Sequence, residues 1–216
     1  MTFWFIVRYG LTPAKWPRGD TSTRNLHWRQ DYVVGEGDAI FVHIPRSGGT
    51  TFSTWSRDIP QNFTGTSLHL PVSPLYPVTS HRYWTVLRNP LHRVFSSYRQ
   101  QLHDPLNHFH SVARAGLEFF LRNHWEARNL AVRMLSGEIK KEPDEASLAQ
   151  ARSNLEFFDQ VIDFRHLTQA LKSISADTYG IDPPKLEIHQ NRQRYSAATP
   201  SEMELIQSFN TLDLDL

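Results

Sequence analysis

Residues 40–52 read Ile-Phe-Val-His-Ile-Pro-Arg-Ser-Gly-Gly-Thr-Thr-Phe. The apolar run Ile40 to Val42 has the character of a buried strand, and it stops at Pro45. A glycine pair follows, then Thr50, Thr51 and Ser53, which have the composition of a helix start. Backbone amides at a helix N-terminus are unpaired and carry about half a positive charge, which attracts anions. Gly48 and Gly49 let the backbone approach an anion without a Cβ in the way. Arg46 contributes a fixed cation, while Ser47, Thr50 and Thr51 contribute hydroxyls. The segment reads as strand, phosphate-cradling loop and helix.

The common nucleotide-hydrolase loop, G-x-x-x-x-G-K-[ST], needs a Lys directly after its last Gly. Here Thr50 follows Gly49, and the cation, Arg46, stands ahead of the glycines. Magnesium-dependent phosphoryl transfer is therefore disfavoured. It would also need a metal-holding carboxylate at the end of a buried strand, for which Asp163 is the one candidate.

A second segment, residues 83–98, reads Tyr-Trp-Thr-Val-Leu-Arg-Asn-Pro-Leu-His-Arg-Val-Phe-Ser-Ser-Tyr. Tyr83 to Leu87 has the aromatic and β-branched composition of a strand. Asn89 followed by Pro90 is an N-cap followed by the preferred first helical residue. Arg93 and Ser96 are three apart on that helix and share a face. Arg88, the helix start and Ser96 form a second candidate phosphate pocket; the alternative is an arginine capping a loop and a serine on a solvated face.

Taken together, the two segments resemble the sulfotransferases that use 3′-phosphoadenosine 5′-phosphosulfate (PAPS). Val42 to Phe52 is similar to their 5′-phosphosulfate loop, and Thr85 to Tyr98 to their 3′-phosphate segment. The closest branch holds the heparan-sulfate 2-O- and 6-O-sulfotransferases and their bacterial relatives. Asn129-Leu-Ala-Val-Arg-Met-Leu-Ser-Gly, Phe158-Asp-Gln-Val-Ile-Asp and the stretch around Asn191 resemble later parts of that branch. The likeness spans roughly residues 38–212. Arg46 and Asn89 stand where the family usually has Lys and Asp. A planar guanidinium is not a neutral exchange for a compact ammonium. A non-catalytic nucleotide-binding relative is thus a further reading.

The resemblance implies an α/β, P-loop-type three-layer fold with a central parallel sheet flanked by helices. It implies in-line sulfuryl transfer from PAPS to a hydroxyl of a carbohydrate or small metabolite, without a metal. Arg46, Ser47, Gly48, Gly49, Thr50 and Thr51 would hold the phosphosulfate, with Arg46 stabilising the leaving group; Arg88 and Ser96 would read the 3′-phosphate from a separate pocket. Near Asn191, Arg192 or Arg194 would be a further nucleotide contact, with Arg192 the first choice; the alternative is two exposed, solubilising arginines.

An acceptor hydroxyl needs a general base that works near neutral pH, and histidine suits that task. Eleven histidines are present. In the resembling branch a His-x-Pro-like stretch ahead of the second phosphate segment supplies the base, which makes His69 the first choice and His81 the second. His43 reads as packing near the nucleotide. His103, His108 and His110 invite a zinc reading, but their spacing fits no ligand pattern and the chain has no Cys. A polar loop near the acceptor cleft fits them better.

The 216 residues carry 23 basic and 22 acidic side chains, which argues against a general nucleic-acid binder. No apolar stretch approaches ~18–20 residues, so no membrane span is expected. The opening Met-Thr-Phe-Trp-Phe-Ile-Val lacks a basic region and cleavage site. Eukaryotic Golgi members of the resembling family carry a membrane anchor, so the resemblance, with the lack of Cys, implies a cytoplasmic, bacterial enzyme.

Residues 1–37 form a lead of unassigned role, and residues 38–216 are expected to form one domain. Residues 58–80 are rich in Pro, Ser and Thr and read as loop. Helical patterns cover 90–102, 115–123, 125–136, 144–157 and a stretch ending at Gly180. Val161 and Ile162 suggest a short strand, and Thr199-Pro-Ser-Glu is a capping box opening a last helix. Alternating strands and helices place ligands at the carboxyl edge of a parallel sheet.

Overall fold

The computed structural model describes residues 33–66, 68–185 and 197–216. Its centre is a four-stranded sheet, β1 (Ala39–Val42), β2 (Phe63–Thr64), β3 (Tyr83–Leu87) and β4 (Gln160–Asp163), in the order β2-β1-β3-β4. All three pairings are parallel. The architecture is α/β, with helices on both faces of a parallel sheet.

The two inner strands are buried on both sides, as an interior parallel strand must be. Strand periodicity splits their side chains between two cores. Ile40, Val42 and Tyr83 pack against α5 (Leu130–Ser136) and α6 (Glu145–Leu155). Phe41, Trp84 and Val86 face the other way, against α1 (Gly49–Trp55) and α7 (Leu167–Tyr179). Trp55 lies in this second core, where its indole N–H donates to Ser175 Oγ at 2.9 Å. A third cluster joins α2 (Pro90–His103), α3 (His110–Arg114), α4 (Leu117–Asn123) and α8 (Pro200–Ser208) through Val94, Tyr98, Phe120 and Ile206.

Local signals fix most element ends. Asn89 Oδ1 accepts from the amides of Leu91 and His92 at the start of α2. Thr199 and Glu202 close a capping box at α8, and Asp144 and Ser147 another at α6. Gly137 and Gly180 end α5 and α7 in the left-handed region, with φ of 81° and 62°.

Three details differ from the sequence expectation. Residues 58–80 contain the short edge strand β2, which borrows its order from pairing with β1. The polar connection after α2 contains α3. The expected helix 125–136 is interrupted: Trp125–Ala127 is a single 3-10 turn, and Asn129 adopts φ 43° before α5 begins. Long-range bonds explain that break. Asn129 donates its amide to Asn210 Oδ1, and its own Oδ1 accepts from the amide of Asp213. Asp213, in α9 (Thr211–Asp215), in turn accepts from the amides of Ala131 and Val132.

Asp213 also faces Arg93 of α2 at 3.7 Å, with side-chain exposures of 1% and 2%. Arg93 donates to the Glu126 carbonyl as well. Removing one partner of a buried ion pair leaves an uncompensated charge, at a cost of about 3–5 kcal/mol. Asp213→Ala is therefore expected to lower the urea unfolding free energy by about that amount. Adding Arg93→Met should recover part of the loss; identical midpoints for wild type and Asp213→Ala would show the pair to be inert.

Candidate functional site

The β1–β3 pairing decides where the two arginine-bearing loops go. Val42 is registered against Thr85, whose Oγ1 donates to the Val42 carbonyl at 2.9 Å. Each chain then leaves the sheet at the same edge, and Arg46 and Arg88 emerge side by side. In an open parallel sheet this crevice is where ligands bind. A cleft of about 1780 Å³ opens there, lined from β1's loop by His43, Arg46, Gly48, Gly49, Thr50 and Thr51. His69, Arg88 and Ser96 line it too, as do His92, Gln101, Asn107, His108, Glu126, Asp163 and Phe164.

The two loops are physically joined. Arg88 Nη1 donates to the Arg46 carbonyl at 2.7 Å, and its guanidinium lies 4.5 Å over the Phe164 ring. Burial, and then the neighbouring cations of Arg46 and Arg93, pull the Arg88 pKa down to about 10. An anion placed here would relieve that repulsion. Arg46 itself has φ 68°, a conformation rarely taken by a side-chain-bearing residue. Its Nε and Nη2 both donate to Ser96 Oγ, at 3.3 and 3.1 Å. The sequence assigned Arg46 and Ser96 to separate pockets; here they meet in one.

The fold gives four of the expected site features different surroundings from those read in sequence. The α2 start contributes less to an anion than its sequence implied, because Asn89 already accepts from the Leu91 and His92 amides. Arg93 shares a helix with Ser96, but it turns into the core toward Asp213. The glycine pair is required by protein packing. A Cβ on Gly49 would lie 1.7 Å from His43 Nε2, and one on Gly48 would lie 2.5 Å from Leu167 Cδ2. Gly48 also has φ 89°. Ser47 is buried away from the cleft lining, and its hydroxyl has no hydrogen-bond partner among the described residues. Arg192 lies outside the described residues.

His69 is half-buried in the cleft wall, and its Nδ1 is 3.0 Å from the His43 carbonyl oxygen. That acceptor places the proton on Nδ1 and makes Nε2 the basic nitrogen. His81 stands just before β3, at the opposite edge of the sheet, where it bonds Ser80 and Pro77. It is not part of the cleft wall. His92, Asn107 and His108 are cleft residues whose positions the sequence left open or placed only near the acceptor side.

Asp163 ends β4 at the cleft, but Arg165 engages both its carboxylate oxygens, at 2.5–3.1 Å. That pairing is the chief reason its pKa falls to about 2. Among the described residues, no cluster of three or more His, Cys, Asp or Glu side chains has a metal-holding arrangement. No helix among them is long and apolar enough to cross a membrane. No family model matches the sequence, and no curated protein matches it.

Beneath the cleft, His124 is fully buried, stacked on Phe109 at 4.0 Å and bonded to Gln101 Nε2 at 2.8 Å. Burial pulls the pKa of both His43 and His124 down to about 3. Unfolded, each would titrate near 6.5, so between pH 3 and 6.5 the unfolded chain binds more protons. The stability they contribute is complete above pH 6.5 and is lost as acid takes the pH toward 3. The unfolding free energy, and with it the melting temperature, should therefore fall from about pH 6.5 to pH 4, the free energy by up to about 1.4 kcal/mol per pH unit for each histidine. His124→Gln should flatten that slope; an unaltered slope would remove His124 as a cause.

Proposed function

We propose that the chain is a PAPS-dependent sulfotransferase of the P-loop type, acting on a hydroxyl of a carbohydrate or small metabolite. One observation carries the reading: Arg46 and Arg88, far apart in sequence, converge on one cleft at the carboxyl edge of the sheet, with His69 in the same wall. The residues present fit an adenosine donor that carries two separate anionic groups. Two guanidinium groups face a shared space, and burial, followed by the neighbouring cations, disfavours the charged form of Arg88. The cleft volume, about 1780 Å³, exceeds what one drug-sized ligand occupies, leaving room for donor and acceptor together.

Bound PAPS would supply an electrophilic sulfur whose bond to the bridging phosphate oxygen breaks as the acceptor oxygen bonds to sulfur. His69 Nε2 would take the acceptor's hydroxyl proton, with Nδ1 held by the His43 carbonyl. Arg46 would stabilise negative charge growing on the bridging oxygen, after releasing Ser96 Oγ. Arg88 would hold the second anionic group through a charge-assisted bond while its other nitrogen keeps the Arg46 loop in place. The chain's task is positioning and charge stabilisation, as in phosphoryl transfer.

A kinase or nucleotide hydrolase is the second reading, because Asp163 does end a strand at the cleft. It would first have to give up its two-oxygen pairing with Arg165. A third reading is a nucleotide-binding relative in which Arg46 stays bound to Ser96 and no transfer follows.

Thermal shift separates the first two. 3′,5′-adenosine diphosphate should raise the melting temperature well above the shift given by 5′-ADP, with or without magnesium. Equal shifts, or magnesium-dependent consumption of ATP, would favour the kinase. Sulfuryl transfer to an acceptor panel should persist in EDTA, and donor binding with no transfer would favour the third reading. His69→Ala should lower turnover by about 10²–10⁴-fold while leaving 3′,5′-adenosine diphosphate binding nearly intact; unchanged turnover removes His69 as the base.

A further inference from the structure

His43 occupies a position that links the anion loop to His69. Its backbone carbonyl accepts from His69 Nδ1 at 3.0 Å. Its ring stands 4.5 Å from the His69 ring, at 56° between planes. On its other side the ring fills the space that a Cβ on Gly49 would take, with Nε2 at 1.7 Å from that point. Phe41 backs it from within the core at 5.6 Å. One residue therefore touches the loop that would hold the donor, the imidazole that would take the proton, and the sheet that supports both.

We infer that His43 is a positioning residue that sets the height of the loop at Gly49 and the orientation and tautomer of His69 together. This inference rests on reading the cleft as a sulfuryl-transfer site with His69 as base. The ring does not move a proton itself: it is wedged between Gly49 and Phe41, and burial keeps it neutral at working pH. Its contribution is geometric. Without the wedge, the loop can settle toward the vacated space and His69 loses the surface that holds its Nδ1 against the carbonyl. An ångström of misplacement at a reacting group costs on the order of 10²-fold in rate.

Nitrogen NMR of the labelled His69 imidazole, recorded without substrate, reads the tautomer directly. In the wild type the proton should sit on Nδ1. In His43→Ala it should distribute over both nitrogens, and turnover should fall by about 10- to 100-fold. His43→Gln, which keeps a planar polar wedge, should restore part of the turnover and serves if the alanine variant fails to fold. Gly49→Ala provides an independent check, since its new methyl group collides with the ring: it should disturb the His69 signal in the wild type and much less in His43→Ala. Protonation of wild-type His69 on Nε2, or an unchanged tautomer in both His43 variants, overturns the inference. If 3′,5′-adenosine diphosphate binds no better than 5′-ADP, the sulfotransferase reading fails, and the tautomer results alone decide the role of His43.

Discussion

The cleft depends on one constraint, the parallel pairing of β1 with β3 in the register that sets Val42 against Thr85. That register is pinned twice. Alternation sends Ile40 and Val42 to one core and Phe41 and Trp84 to the other, so a slip of one residue would turn every side chain to the wrong face. The buried Thr85 hydroxyl, bonded to the Val42 carbonyl, adds a polar lock at the last pair before the loops diverge. Arg46 and Arg88 then leave the sheet at the same height and meet.

Bringing two guanidinium groups together in a partly buried crevice is unfavourable unless other contacts hold them. Arg88 is held by the Arg46 carbonyl and the face of Phe164; Arg46 is held by Ser96 and by a left-handed backbone. Burial first, and then the neighbouring cations, hold the Arg88 pKa down to about 10. These contacts fix the orientation of both guanidinium groups at the cleft. Deeper support comes from Asp213 and Asn210, which tie α5 and the loop before it to the last two helices, and from the ion pair of Asp213 with Arg93 behind the cleft.

Much of this was legible in residue order. The strand, loop and helix from Ile40 to Trp55, the Asn89–Pro90 helix start and the Thr199 capping box are written within a few residues of one another. Local steric and capping preferences act over that distance. The glycine pair was legible as a requirement but not for its cause, since the imidazole of His43 and the Leu167 side chain that fill those spaces are visible only in the fold. Strand β2 was not legible: two residues have no period to detect, and their order comes from β1. His81 was the second choice of base in sequence, yet the strand that follows it carries it to the far edge of the sheet.

Sequence alone determined the types of most elements, the two arginine-bearing turns and their place at strand ends, because each follows from bonds among near neighbours. Only the tertiary structure decided that Arg46 reaches Ser96, that Arg93 turns inward to Asp213, and that His43 backs both Gly49 and His69. Most of those contacts join residues many positions apart in the chain. They depend on strand order, register and the shared exclusion of water from the cores, which no local stretch encodes.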